Sequence, residues 1–99
     1  MIVVRNVFEL KFGKAKEAKV LLTEGFAIAK RLGMGPDRVL ADVTGTFYTI
    51  VLENEFPTLA AFEESMAKGF GNKEWEAWYQ KFVPLVESGH REIFNVVQQ

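Results

Sequence analysis

The sequence predicts one α+β domain: a four-stranded antiparallel sheet with its helices on one side and a second copy of the chain closing the other. Three observations predict it. The 99 residues suffice for one domain with a modest core and leave no room for a second. Strand-like and helical patterns follow one another in the order β-α-β-β-α(α)-β. The stretch Arg38 to Phe56, RVLADVTGTFYTIVLENEF, reads as a β-hairpin whose second strand is apolar front and back. Side chains alternate along a strand, so Phe47, Thr49 and Val51 point one way and Tyr48, Ile50 and Leu52 the other. The helices can cover one face of such a sheet, and the economical cover for the other is an identical subunit.

Composition narrows the function classes. Twelve Lys and Arg against thirteen Asp and Glu leave a net charge of −1, which offers no global field for nucleic acid or an anionic membrane. The absence of cysteine removes disulfides, thiolate metal sites and a cysteine nucleophile, and fits a reducing cytoplasm. The opening MIVVRNVFELKF meets Arg5 and Asn6 before a signal-peptide apolar region forms, and no apolar run approaches the roughly 20 residues of a membrane span. The expectation is a soluble, unprocessed chain.

Ile2 to Leu10 is rich in β-branched and aromatic residues and predicts the first strand. Ile2, Val4, Asn6, Phe8 and Leu10 form the face expected beneath the helices; Val3, Arg5, Val7 and Glu9 form the other. After a turn at Lys11 to Gly13, a helix is expected from Lys14 to about Leu32, where Gly33 supplies a left-handed stop and Pro36 forbids continuation. Ala18, Leu21, Leu22, Gly25, Phe26, Ala29 and Leu32 make its apolar stripe. Gly25 costs about 1 kcal/mol against alanine inside a helix, which marks a close approach. Lys11, Lys14, Lys16 and Lys19 cluster at the helix start, where solvated lysines are commoner than a phosphate site.

The hairpin turns at Thr44-Gly45. Pro57 and Thr58 then start a second helix, with Leu59, Phe62, Met66 and Phe70 on its buried side, broken by Gly69 and Gly71. Asn72 caps a third helical piece carrying Trp75, Trp78, Tyr79, Phe82, Val83 and Val86, which Pro84 bends or ends. Gly89 precedes a last strand over about His90 to Val97. The order is that of a ferredoxin-like sandwich. Its open face would present roughly two apolar residues per strand, each worth about 1.5–3 kcal/mol when buried, which is the argument for a homodimer through the sheet face.

Three stretches, VVRNVFELKFGKAKEAKVLL, TGTFYTIVLENEFPTLAAFEES and EWEAWYQKFVPLVESGHREIFNVV, together resemble the dimeric α+β barrel superfamily, and most of all its NIPSNAP-type members. The resemblance spans nearly the whole chain and is one of pattern, without a strict motif. It implies a sheet-to-sheet dimer with a pocket between sheet and helices in each subunit. Members include antibiotic-biosynthesis-type monooxygenases, haem-degrading monooxygenases, small isomerases and proteins with no assigned role. The haem-degrading branch uses an asparagine on the first strand, a tryptophan on the second helix and a histidine a turn or two later. Asn6 matches the first; Ser65 and Tyr79 stand at the other two places, so haem does not carry over, and no cofactor is expected.

The residues themselves favour an aromatic pocket with polar tips. One histidine and no cysteine are too few for a catalytic zinc or non-haem iron site, and Asp42, Glu53 and Glu55 sit where strand ends and hairpin rims are routinely acidic, so no metal is expected. Ser88 and His90 lack the framework of a nucleophile elbow. Asn6, Tyr79 and His90 remain as candidate acid, base or hydrogen-bonding groups, with Tyr48, Trp75 and Trp78 as a candidate pocket lining; His90 is the natural proton-transfer candidate. The same aromatics serve equally as plain core.

Three functions follow. The first is a small-molecule binder or cofactor-independent enzyme, monooxygenase- or isomerase-like, acting on a hydrophobic or aromatic compound. The second is a structural dimer without catalysis. The third, an RNA-binding module of the same strand order, is disfavoured: Val3 stands where a stacking aromatic belongs, and the segment from Pro57 to Ser88 exceeds one short helix. The expected partners are a second copy and a small hydrophobic ligand, with no nucleic acid and no membrane.

Overall fold

The computed structural model describes Met1 to Gln99 as β1 (Ile2–Leu10), α1 (Ala15–Arg31), β2 (Arg38–Ala41), β3 (Thr49–Phe56), α2 (Leu59–Ala67), α3 (Lys73–Phe82) and β4 (Val86–Asn95). The sheet order is β2-β3-β1-β4 with every neighbour antiparallel, the ferredoxin-like arrangement that the element order predicts. Hydrophobic residues of β1 drive the packing: Ile2, Val4 and Leu10 are buried, and Leu10 joins Leu22, Ile28, Ile50, Trp78, Phe82 and Leu85 in one core cluster.

Helix α1 ends as expected, with Gly33 at φ +70°. The residue at 25 is glycine because a Cβ there would lie 2.3 Å from the Trp78 indole, so α1 and α3 pack closer than any side chain allows. Thr58 caps α2 by accepting from the Ala61 N–H at 3.1 Å, and Asn72 caps α3 by accepting from the Trp75 N–H at 2.9 Å.

Four expectations need correction. The hairpin does not reverse tightly at Thr44-Gly45. Residues 42–48 form a longer connection, closed by the Thr49 N–H donating to Asp42 Oδ1 at 2.8 Å, and Phe47 lies in it, exposed, instead of in the strand. The last strand starts at Val86, not His90, because Pro84 converts the end of α3 into a short 3₁₀ turn over Val83–Leu85 that feeds straight into the sheet. Gly89 therefore sits inside β4, where a Cβ would press on the Val7 carbonyl at 3.2 Å and the Phe8 ring at 3.3 Å. Helix α2 buries none of its residues: Leu59 and the following Phe70 are exposed, while Phe62 and Met66 are half-buried over a crevice.

The fourth correction concerns the sheet face without helices. Val7 and Val51 are each only 8% exposed within a single chain, so β3 is indeed dry on both sides there. Beside this valine pair, however, runs a row of charges in register across all four strands, Arg38-Glu53-Arg5-Glu92. Arg38 Nη2 meets Glu53 Oε1 at 2.6 Å, Arg5 Nε meets Glu53 Oε2 at 2.9 Å, and Arg5 Nη1 meets Glu92 Oε1 at 3.3 Å. The Arg5 Nε contact is close but off the N–H direction, an ion pair without an aligned hydrogen bond. Apolar residues on this face number two on β1, Val3 and Val7, and one on each other strand: Leu40, Val51 and Phe94. That is fewer than the two per strand expected.

Candidate functional site

Between the sheet and the α2–α3 pair lies a crevice of about 800 Å³ in which 17 of 28 lining residues are hydrophobic. Its existence follows from α2, which buries none of its residues, packs on β3 and reaches β4 through Arg91, so its apolar side chains line space instead of filling it. Val4, Asn6 and Phe8 of β1 form the floor, Phe26 of α1 one wall, and Phe62, Met66, Trp75 and Tyr79 the cover.

Trp78 is the most constrained of the lining aromatics. It stacks on Phe82 with centroids 5.2 Å apart, lies 4.9 Å from Trp75, and donates from Nε1 to the Leu21 carbonyl at 2.7 Å. The indole N–H is thus satisfied inside the core, and its ring forms a rigid back wall. Trp75 is half-buried against Gly69, where a Cβ would come within 3.2 Å of the indole.

Of the residues expected to act together, Asn6, Trp75, Trp78 and Tyr79 line the crevice. Tyr48 does not: it packs against Phe12 and Phe47 at the far end of the sheet, with centroids 5.7 Å apart in each pair. His90 borders the crevice along the chain, but it pairs with Val7 in the sheet, and its Nε2 lies 3.1 Å from Glu92 Oε2, two residues along on the same side. Its imidazole therefore extends the charged row on the open face, opposite the face that carries Asn6. The three candidate catalytic residues are split by the sheet.

The structure adds Arg91. It pairs with Asn6 across β1 and β4, and its Nε donates to Asn6 Oδ1 at 2.7 Å. The guanidinium carbon lies 5.2 Å from the Phe62 ring centroid, and Nη2 is 3.8 Å from Met66 Sδ. Alternation along β4 was the available signal: whichever face His90 takes, Arg91 takes the other. Asn54, also in the crevice, donates from Nδ2 to the Gly35 carbonyl at 2.8 Å and ties the loop after α1 to β3. Asp42 and Glu53, considered as hard ligands, are engaged by the Thr49 N–H and by two arginines; no three His, Cys, Asp or Glu side chains converge on one point. None of the four lysines near the start of α1 borders the crevice.

A four-stranded antiparallel sheet with helices on one face and a ligand-sized apolar crevice between the layers defines the class as a ferredoxin-like α+β protein. No protein-family model and no curated protein matches the chain in sequence. Solved structures do match it in fold. A NIPSNAP family protein from Agrobacterium tumefaciens has 21% identity and a TM-score of 0.88 over 97% of this chain and 85% of that one. A NIPSNAP domain protein from Burkholderia xenovorans has 15% identity and a TM-score of 0.89 over 98% and 95%. SnoaB, a cofactor-independent oxygenase from Streptomyces nogalater, has 14% identity and a TM-score of 0.62 over 99% and 94%. At these identities the likeness establishes the shared fold. No helix is long and apolar enough to cross a membrane.

Proposed function

We propose that the chain is a homodimer, paired through its open sheet face, that holds a small hydrophobic or aromatic compound in the crevice and acts on it without a bound cofactor. The crevice carries the proposal. Its volume of about 800 Å³ falls within the roughly 300–1,000 Å³ of ordinary ligand sites, and its walls are apolar with few polar tips. The likeness in fold to a cofactor-independent oxygenase supports the chemistry. Phe94, 52% exposed beside Val3 on the open face, supports the pairing. A cytoplasmic home suits a chain without cysteine.

One observation favours a second reading, a binder or structural dimer without turnover. The imidazole best suited to proton transfer faces away from the crevice, leaving only Asn6 and Tyr79 of the three candidate catalytic residues inside it.

A thermal-shift screen of hydrophobic acids, quinones and fused-ring phenols tests ligand binding, since a compound binding only the folded state stabilises it by about 2.7 kcal/mol at a hundred times its Kd. Ser65→Phe, which fills the crevice beneath α2, is expected to abolish the shift. A shift that survives this substitution places binding elsewhere and overturns the reading. Turnover under air by the same compounds separates the enzyme from the binder.

A further inference from the structure

We infer that the crevice selects amphipathic carboxylates, compounds with an aromatic or acyl body and one anionic head, and that Arg91 is the residue that selects them. The inference rests on the crevice reading above and deepens it.

The chain has four arginines. Arg5 and Arg38 share Glu53, and Arg31 pairs with Glu74. Arg91 alone has no carboxylate partner and is the one arginine on the crevice. Its position is nevertheless fixed. Asn6 accepts from Nε at 2.7 Å and Phe62 lies under the guanidinium plane at 5.2 Å, so two contacts from two elements hold the group at the rim.

The way it is held decides what it can bind. Asn6 occupies the Nε edge, and Met66 sulfur takes one weak contact from Nη2. The outer pair, Nη1 and Nη2, keeps donors free side by side, the geometry that meets the two oxygens of a carboxylate. The other acidic or basic side chain on the crevice, apart from the outward-facing His90, is Glu76, whose Oε1 accepts from the Gly71 N–H at 3.2 Å. A fixed cation with a free fork at the rim of an apolar crevice of this size matches an anionic head with an apolar body behind it.

Pyrenebutyric acid and its methyl ester form the test pair, because they share one fluorescent body and differ in the charge of the head. The ester is the more hydrophobic, so nonspecific partitioning favours it. Energy transfer from Trp75 and Trp78 to pyrene reports binding, and its loss in Ser65→Phe, which fills the crevice, places that binding there. At neutral pH the acid is expected to bind the full-length protein about tenfold tighter than the ester. Arg91→Met should bring the ratio of acid to ester affinity to about one or below, and Arg91→Lys should restore part of it. Asn6→Ala, which keeps the charge but frees it, should lower that ratio severalfold. Equal binding of the two probes to the wild-type protein, or a preference that persists in Arg91→Met, overturns the inference while the crevice reading stands. Failure of both probes to bind saturably with energy transfer sinks the crevice reading and this inference with it.

Discussion

A Cβ placed on Gly25 would lie 2.3 Å from the indole ring of Trp78, while the Trp78 Nε1–H donates to the carbonyl of Leu21 one turn earlier on the same helix. The missing side chain and the hydrogen bond together seat one residue against α1. Gly25→Ala gains about 1 kcal/mol of helix propensity but must displace a ring in contact with Trp75 and Phe82, at a cost of about 1–3 kcal/mol for overpacking plus the lost bond. The expected net effect is destabilisation by about 1–3 kcal/mol, or a Tm lower by roughly 4–8 °C per kcal/mol in a domain of this size. Calorimetry checks it, and a red shift in tryptophan emission should accompany it.

Glu53 holds two arginines with a side chain only 13% exposed. Glu53→Gln leaves Arg5 Nε, itself out of solvent, facing a neutral amide, and Arg38 without a carboxylate. The expected loss is about 1–3 kcal/mol, read as a lower denaturation midpoint at constant m-value. The Arg38→Gln substitution, at the exposed end of the row, should cost about 0–1 kcal/mol.

Most of the fold was legible because it rests on local signals: alternation in β1, the 3.6-residue stripe of α1, and polar caps at Thr58 and Asn72 that their helices require. The errors share a cause. Gly89 looks like a turn in sequence, and only the nearness of Phe8 shows it to be a strand glycine. Phe62, Met66 and Phe70 have the spacing of a buried stripe, but spacing cannot tell a side chain that fills a core from one that lines a cavity. The site was half legible for the same reason. Asn6 and Tyr79 fall in the crevice and His90 does not, because the face each takes depends on strand register. Once Val7 pairs with His90, Arg91 must pair with Asn6, and no local pattern carries that pairing.

Phe94 tests the proposed dimer with little disturbance to the subunit. It lies on an edge strand, half exposed, beside Val3 on the open face. Phe94→Glu is expected to halve the mass measured by light scattering while leaving the secondary structure intact. Val51→Lys is the harsher companion: Val51 is buried within the single chain, so that variant should lower the Tm of the subunit as well as separate the pair. A wild-type protein that is monomeric in dilute solution removes the pairing from the proposal.

Tyr79 and His90 separate chemistry in the crevice from structure on the open face. Tyr79 lines the crevice and is 46% exposed, so its hydroxyl can reach a bound compound without giving up a core hydrogen bond. If the protein turns over its ligand by acid–base catalysis through that hydroxyl, Tyr79→Phe should reduce kcat by about 10²–10⁴-fold with little change in Kd. His90→Ala should leave ligand affinity and kcat within a few-fold, because the imidazole lies across the sheet beside Glu92. It should instead act on whatever packs against the open face, raising the dimer dissociation constant. Equal loss of turnover in both variants would mean that His90 reaches the reacting compound from the other face, and the assignment of the two sides of the sheet would have to be exchanged.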